Sequence, residues 1–261
     1  MDIVVCVKQV PNTTEVKIDP ETNTLIRHGV PSIVNPFDKN ALEAALRLRE
    51  QHGGKVTALS MGPPQAEEAL RECLAMGADE AILVSDRAFA GADTLATSYT
   101  LATAIEKMGR FDLIICGKQA IDGDTAQVGP EIAEHLDIPQ ATYVSRIDVT
   151  GTTVRIEREH EEGIEVLETS LPLLISVVKS INEPRLPTVK GTMKAGRKVI
   201  TVWTVNDLAV DHKRLGLKGS PTQVVRIFTP KPRTQGEIIR KDTARESVLE
   251  LLGKLADAKL V

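Results

Sequence analysis

Long apolar runs are absent from this sequence, since no continuous stretch approaches the ~20 residues that a membrane-spanning helix needs. The opening segment MDIVVCVKQV is typical of a strand and not of a signal peptide, because charged residues follow its apolar part at once. We therefore expect no membrane insertion and a cytoplasmic location. The formal net charge of -4 argues against a nucleic-acid-binding protein, which would neutralise phosphates with many basic side chains.

Cysteine and histidine are too sparse and scattered to indicate a metal site. Cys6, Cys73 and Cys116 lie far apart in apolar strand and helix patterns, so we expect buried small side chains without disulfides. The five histidines show no spacing typical of metal ligands. There is also no P-loop with its lysine and no G-x-G-x-x-G after the first strand, which argues against a nucleotide hydrolase and a standard dinucleotide dehydrogenase.

Apolar strand patterns alternate with amphipathic helix patterns as far as about residue 145. Strands are predicted over residues 2–7, 55–60, 80–85 and 112–116, helices over 38–51, 64–76 and 94–108, and a surface hairpin over 16–26. This alternation predicts an α/β fold with a doubly wound, mostly parallel sheet that is covered on both faces. In such sheets a ligand lies beyond the carboxyl ends of the strands, near the point where strand order reverses.

The loop after the fourth predicted strand carries the strongest binding signal. It begins at Gly117, reads GKQAIDGDTAQVGP, and leads into a helix pattern that starts near Thr125. Gly117 and Gly123 allow the backbone to approach a ligand closely, while Asp122, Asp124 and Thr125 are residue types that cap helices and leave N–H groups for an anion. The alternative is an ordinary strand-to-helix turn with a good cap.

Other loops at the same predicted edge have similar features. In SMGPP a glycine follows a strand and a proline starts a helix. In GADT, Asp93 is the expected N-cap, and Thr94 and Thr97 place hydroxyl groups near the helix N-terminus. Amide side chains that are able to contact adenine or ribose, or to serve as ordinary loop amides, are Asn35, Gln119 and Gln127. These features favour a nucleotide pocket.

The pattern changes beyond residue 143. Residues 145–149 and 152–159 alternate polar and apolar side chains around Thr150-Gly151, and 166–178 ends in an apolar strand, so we expect an added β-hairpin layer. The stretch NEPRLPTVKGTMKAGRK over 182–198 has no clear periodicity and predicts an exposed loop. That loop is either a docking peptide, through Leu186, Val189 and Met193, or a linker.

The C-terminal end predicts an irregular, proline-bearing arm followed by a helix over 244–260. The apolar stripe of this helix, which must be buried against the main fold or against another subunit, is Val248, Leu251, Leu252 and Leu255. We therefore divide the chain into a nucleotide-binding α/β domain over 1–205 and an arm with its helix over 206–261.

Several segments, in order, resemble the β subunit of electron transfer flavoprotein. These segments are VVCVKQV, VNPFDKNALEAALRL, ALSMGPPQAEEALRECLAMGADEAI, GKQAIDGDTAQVG, IEREHEEGIEVLETSLPLLIS and NEPRLPTVKGTMKAGRK. The resemblance covers essentially the whole chain. It implies a Rossmann-like fold of the adenine-nucleotide α-hydrolase type and a heterodimer with an α subunit that carries FAD, on which residues 206–261 would pack.

The resemblance also implies a set of cofactor contacts. In the family, the β-subunit pocket holds AMP or, in the flavin-bifurcating form, a second FAD whose adenylate half occupies the same place. The matching positions are Cys6, Asn35, Pro36, Phe37, Asp38, Met61, Gly117, Lys118, Gln119, Ala120, Asp122, Gly123, Asp124, Thr125, Ala126, Gln127 and Val128, with 122–128 around the phosphate. Asp93, Thr94 and Thr97 are the expected contacts of the flavin pyrophosphate.

Two segments, VKIDPETNTLIRHGVPSIVNP and SDRAFAGADTLATSYT, are similar to the bifurcating subgroup of anaerobes, which implies FAD with AMP as the alternative. In that subgroup NADH reduces the β-subunit FAD. One electron then goes to ferredoxin or flavodoxin, and the other goes through the α-subunit FAD to an acyl-CoA dehydrogenase, with no acid–base residue acting on a substrate. Three hypotheses stay open: a bifurcating subunit, an AMP-holding subunit that docks dehydrogenases, and a free nucleotide-binding regulatory module.

Partner recognition is expected in residues 184–198 by the same resemblance. The implied contacts are Leu186, Val189, Met193 and Lys194, with Val189 at the anchoring apolar position. The more common leucine–proline pair is replaced here by Val189-Lys190, which leaves the identity of the partner open.

Overall fold

A computed structural model describes residues 1–12, 32–225 and 236–261. The hairpin predicted over 16–26 lies outside these residues. The chain divides into two compact units, Met1–Arg226 and Ile227–Val261, each of which is described by itself. Among the described helices, none combines the length and the apolar character that crossing a membrane requires.

Strands and helices follow one another in the first unit largely as the sequence predicts. The strands are β1 (Asp2–Cys6), β2 (Gln9–Pro11), β3 (Ser32–Val34), β4 (Lys55–Met61), β5 (Glu80–Val84), β6 (Leu113–Gly117), β7 (Gln140–Thr150), β8 (Thr153–His160), β9 (Gly163–Ser170), β10 (Leu173–Val177) and β11 (Thr201–Trp203). The helices are α1 (Pro36–His52), α2 (Glu67–Met76), α3 (Thr94–Met108), α4 (Val128–His135) and α5 (Val189–Arg197). Helix α1 has proline at its first position and ends at Gly53, whose φ of +71° suits glycine.

Within the described residues, nine strands form one sheet in the order β11-β5-β4-β1-β6-β10-β7-β8-β9. In this sheet all neighbours from β11 to β7 are parallel, and β7, β8 and β9 pair antiparallel. The chain adds β4 and β5 on one side of β1 and then returns to add β6 on the other side. Strand order therefore reverses between β1 and β6, and the predicted doubly wound, mostly parallel α/β fold is confirmed.

The predicted hairpin is present as β7 and β8, and it extends the main sheet instead of forming a separate layer. The apolar run that follows it divides into β9, at the sheet edge, and β10, between β6 and β7. All five residues of β10 are buried, which fits an interior strand that helices cover on both faces. Because β10 pairs with strands distant in sequence, local periodicity does not reveal its place.

Two clusters of buried side chains cover the two faces of the sheet. Ile3 and Val5 of β1 pack with α1 and α2, while Val4 and Cys6 pack with α3 and α4. This alternation follows from the two-residue period of a strand. Cys6, Cys73 and Cys116 are buried, as the sequence predicts.

The prediction of an exposed loop over 182–198 is wrong for its second half, which forms α5. The Thr188 hydroxyl accepts a hydrogen bond from the Gly191 N–H at 2.9 Å and caps the helix. A Cβ atom on Gly191 would lie 2.3 Å from the Ala75 carbonyl oxygen, so α5 packs closely on α2. Ala195 is the one buried residue of α5 in the described structure, so most of this helix faces away from the core.

The first compact unit continues past the predicted boundary between residues 205 and 206. Leu208 and Leu215 are buried in its core, and the unit ends at Arg226. In the second unit, α6 (Ala244–Asp257) confirms the predicted C-terminal helix, and Thr243 and Glu246 form a capping box at its start. Its side chains Val248, Leu251 and Leu252 are exposed within the described residues, so the surface that covers the apolar stripe stays a prediction.

Candidate functional site

The candidate site lies beyond the carboxyl ends of β1 and β6. These strands are adjacent and in register, with Cys6 opposite Cys116. The Lys8 Nζ atom, in the loop after β1, lies 2.6 Å from the Asp122 Oδ1 atom in the loop after β6. The two loops are thus joined across the point where strand order reverses, which is where open α/β sheets bind their ligands.

Asn35, the residue before α1, connects two segments of this edge. Its side chain is fully buried. The amide nitrogen donates to Asp38 Oδ1 at 2.9 Å and to the Gln119 carbonyl at 2.8 Å, and the amide oxygen accepts from the Ile121 N–H at 3.1 Å. Both polar atoms of Asn35 are therefore bonded within the protein, and they hold the loop after β6 against the start of α1.

Asp38 is a buried carboxyl group in the first turn of α1. Its Oδ2 atom accepts a hydrogen bond from the Lys8 N–H at 2.8 Å. Burial raises the pKa of Asp38 to about 7, although hydrogen bonds from Asn35, Lys8 and Gly117 oppose the shift. Gly117 passes so close to α1 that a Cβ atom there would lie 2.3 Å from Asp38 Oδ1 and 2.7 Å from the Phe37 carbonyl carbon. Glycine is required at this crossing.

The raised pKa of Asp38 predicts a pH-dependent stability. Because the folded state holds this proton more tightly than the unfolded state, whose carboxyl has a pKa near 3.8, the free energy of unfolding should fall as the pH rises from about 4 to about 7 and then level off. Urea unfolding of the protein and of Asp38→Asn across this range should show a difference that declines with pH. Parallel curves for the two proteins would contradict the prediction.

Helix α4 begins at Val128, so the predicted start near Thr125 is wrong. Its N-cap is Gln127, whose side chain makes no capping hydrogen bond to the described part of the chain. Asp122 pairs with Lys8, and Asp124 Oδ1 accepts from the Gln119 amide at 2.7 Å, so neither carboxylate caps the helix. Acidic cap residues also favour turns, and here the Ala120 carbonyl accepts from the Asp124 N–H at 2.9 Å to close one.

The loop before α4 adopts an unusual backbone. Asp124 and Ala126 have φ angles of +51° and +55°, a left-handed region that costs residues with a side chain about 1 kcal/mol each. Residues 121–125 are exposed. In the described chain, the Gln127 side chain does not cap α4. The first N–H groups of α4 therefore point toward this loop without an acceptor from that side chain, and an anionic group is favoured there. The geometry therefore suits a phosphate.

The N-terminus of α3 lies beside that of α4. Asp93 caps α3 as predicted, since its Oδ1 atom accepts from the Ala96 N–H at 3.1 Å. The Thr94 hydroxyl donates to Glu131 Oε1 in the first turn of α4 at 3.0 Å, which brings Thr94 to the same edge as the loop after β6. Partial burial acts to raise the pKa of Asp93, but the bonds from Ala96 and Thr222 outweigh it and lower the pKa.

The structure brings most of the sequence-predicted cofactor residues to one edge of the sheet. Cys6 and Met61 end the neighbouring strands β1 and β4, and Pro36 and Phe37 form the first turn of α1. Sequence reasoning missed Lys8, and the available signal was a basic residue placed directly after the first strand. Among the residues that the structure describes, no group of three or more His, Cys, Asp or Glu side chains is arranged to hold a metal ion.

Comparison with known proteins identifies the family. A family model described as the electron transfer flavoprotein domain matches residues 22–208. The chain belongs to the electron transfer flavoprotein family. It is 56% identical over 256 residues to the electron transfer flavoprotein subunit beta of Thermoanaerobacterium thermosaccharolyticum, with 98% of each chain covered. It is 54% identical to the subunit beta of Clostridium acetobutylicum, with 98% of each chain covered, and 52% identical to the caffeyl-CoA reductase-Etf complex subunit CarD of Acetobacterium woodii, with 100% of each covered.

These matches confirm the resemblance to an electron transfer flavoprotein β subunit. Members of this family act in electron transfer and associate with a flavin or nucleotide, and their β subunits pair with an α subunit. The assignment of individual residues to the cofactor stays a prediction that the geometry of the edge supports.

The residues expected to contact an electron transfer partner lie on a separate surface. Leu186, Val189 and Met193 are 84%, 81% and 60% exposed. Lys194 is exposed beside them. We call residues 184–198 the recognition segment.

Proposed function

We propose that the chain is the β subunit of a cytoplasmic, flavin-bifurcating electron transfer flavoprotein and binds FAD with its adenylate half at the loop between β6 and α4. The main observation behind the proposal is that the ion pair between Lys8 and Asp122 joins the loops after β1 and β6, where strand order reverses. Lys8, the exposed left-handed loop and the uncapped start of α4 together favour a phosphate at this place. The described residues around it fit an adenine nucleotide.

The neighbouring start of α3 favours FAD over AMP. AMP has a single phosphate, whereas FAD continues through a second phosphate toward its isoalloxazine ring. The Thr94–Glu131 hydrogen bond places a second helix N-terminus next to the first, where Thr94 and Thr97 would hold the pyrophosphate. The Asp93 carboxylate is occupied by Ala96 and Thr222, which reduces its repulsion of an anion.

Electron transfer in this proposal depends on the flavin, and the protein binds and orients it. When bound, FAD would supply two-electron acceptance from NADH and one-electron transfer toward ferredoxin or flavodoxin and, through the α-subunit FAD, toward an acyl-CoA dehydrogenase. Lys8 and the start of α4 would hold the adenylate phosphate. The hydrogen bonds of Asn35 would keep the loop after β6 in place. The name of the Acetobacterium woodii relative places that protein in a complex with a CoA-ester reductase, which supports an acyl-CoA dehydrogenase as the partner here.

The cofactor content of the purified heterodimer tests the proposal. We expect two FAD molecules per heterodimer, measured by absorbance and chromatography after denaturation, and an NADH oxidation that requires both ferredoxin and an acyl-CoA acceptor. One FAD and one AMP would replace bifurcation with the AMP-holding, dehydrogenase-docking alternative. A stable β monomer that binds nucleotide without the α subunit would support a regulatory module.

Docking of the acyl-CoA dehydrogenase is assigned in this proposal to the recognition segment. Its exposed apolar side chains Leu186, Val189 and Met193 would enter an apolar surface of the partner. The basic residues Lys190, Lys194 and Arg197 are exposed in the same segment, so the partner is expected to present acidic groups at the rim.

A further inference from the structure

We propose that Arg185 is a positioning residue that clamps the start of the recognition segment to α1 and thereby sets the docking surface before the partner arrives. The inference rests on the proposed docking function of residues 184–198. It assigns a specific task to an arginine that touches neither the nucleotide edge nor the exposed apolar surface itself.

The clamp is a guanidinium group held between two carboxylates of α1. Arg185 Nε lies 2.7 Å from Glu43 Oε2, and Arg185 Nη1 lies 2.5 Å from Glu50 Oε1. Arg185 Nη2 donates to the remaining oxygens, at 3.3 Å from Glu43 and 3.1 Å from Glu50, and the Arg185 N–H donates to Glu43 at 3.2 Å. Arginine's planar fork suits such paired contacts, and lysine has no equivalent geometry.

Burial strengthens the half of the clamp formed by Arg185 and Glu43. The Glu43 side chain is only 3% exposed, whereas that of Glu50 is 48% exposed. Burial acts to raise the pKa of Glu43, but hydrogen bonds from Arg185 and Arg47 outweigh it and lower the pKa, so Glu43 is ionised at neutral pH. An ionised, buried Glu43 needs its cationic partners, because an unpaired buried charge is strongly destabilising.

The clamp is the last of a series of contacts along α1. Asn40 and Asn182 exchange hydrogen bonds through their side-chain amides and backbone carbonyls at 2.8 Å and 3.0 Å. After Arg185 the chain reaches α5, which is held on α2 by a 2.8 Å bond from Arg71 Nη1 to the Ala195 carbonyl. Leu186 thus lies between an anchor on α1 and an anchor on α2.

Two fixed ends restrict the conformations of the short connection that carries Leu186 and leads to Val189. A segment that is ordered before docking loses less conformational freedom when it binds. Removing Arg185 should therefore weaken docking without changing the groups that touch the partner.

Arg185→Leu in the full heterodimer tests this role. We expect the apparent KM for the acyl-CoA dehydrogenase to rise about tenfold, which corresponds to about 1.4 kcal/mol, with kcat at saturating dehydrogenase unchanged. Arg185→Lys should give an intermediate KM. Reduction of the heterodimer by NADH and its FAD content should match the unmodified protein, since a general loss of structure would alter these as well.

The matched control is Arg146→Leu. Arg146 also lies between two carboxylates, at 3.1 Å from Asp148 and 3.8 Å from Glu157, but it is on β7 and outside the recognition segment. The KM of the Arg146→Leu heterodimer for the acyl-CoA dehydrogenase should stay unchanged. If Arg185→Leu fails to fold, Glu50→Gln removes only the exposed ion pair between Arg185 and Glu50. We expect this variant to increase the KM about threefold.

Leu186→Asp separates the clamp from the docking function. If Leu186→Asp raises the KM and both Arg185→Leu and Glu50→Gln leave it unchanged, the clamp is refuted while docking by the recognition segment stands. If none of these variants changes the KM, docking at this surface is refuted and the clamp with it. If the KM rises with Leu186→Asp and Arg185→Leu but not with Arg146→Leu, both the clamp and docking by the recognition segment are supported.

Discussion

Gly117→Ala is expected to abolish nucleotide retention and to lower the free energy of unfolding by about 3 kcal/mol. The new Cβ atom would lie 2.3 Å from Asp38 Oδ1 and 2.7 Å from both the carbonyl carbon and the Cβ atom of Phe37. The first turn of α1 cannot simply shift, because Asn35 ties it to the loop after β6. Chemical denaturation and the nucleotide content of the purified heterodimer measure the two effects.

Gly123→Ala is the matched control for this prediction, because it changes a glycine of the same loop. No described atom lies within 4 Å of the position that its Cβ would occupy. We expect a change of less than about 0.5 kcal/mol in the free energy of unfolding. Equal stability of Gly117→Ala and Gly123→Ala would show that the crossing of β6 and α1 tolerates a side chain.

Asn35→Ala should be nearly as damaging, with a loss of about 3 kcal/mol in the free energy of unfolding and weakened nucleotide retention. The substitution leaves the Gln119 carbonyl, the Ile121 N–H and one oxygen of Asp38 without their partner, the first two in a partly buried place and the third in a buried one. The loop after β6 would then lose its attachment to α1. Thermal or urea unfolding and nucleotide content are again the measurements.

Asn35→Asp distinguishes hydrogen bonding from packing at this position. Aspartate has the same shape but donates no hydrogen bond when ionised, and it would face the Asp38 carboxyl group. We expect it to be as destabilising as alanine. Asn206→Ala, at an exposed asparagine, should change the stability by less than about 0.5 kcal/mol. A stable, nucleotide-loaded Asn35→Asp protein would mean that the amide donor is dispensable.

The fold is readable from sequence wherever local periodicity decides the structure. The helix predicted over 94–108 is α3 to the residue, because Asp93 caps it and its apolar pattern is continuous. β10 could be recognised as an apolar strand, yet its place between β6 and β7 depends on pairing with distant strands. Helix α5 lies where a loop is predicted, and it packs on α2 through the close approach of Gly191, a contact between distant segments that a local pattern does not show.

The site was predictable as a loop but not as a set of contacts. Glycines and acidic residues after a buried strand indicate the edge where β6 ends, and the binding role of that edge stays a prediction. The same residue types favour helix caps and turns alike, so the start of α4 was placed too early. The bond between Lys8 and Asp122, and the central place of Asn35, arise only when segments far apart in sequence meet.

Helix α1 belongs to both regions that this protein is proposed to use. Its first turn, with Asp38, forms part of the nucleotide edge, and its later turns carry Glu43 and Glu50, to which Arg185 is attached. A helix of 17 residues extends about 25 Å and resists bending over that length. A dehydrogenase bound to the recognition segment would therefore be kept at a nearly constant distance from the adenylate, so any change in electron-transfer distance must come from movement elsewhere in the complex.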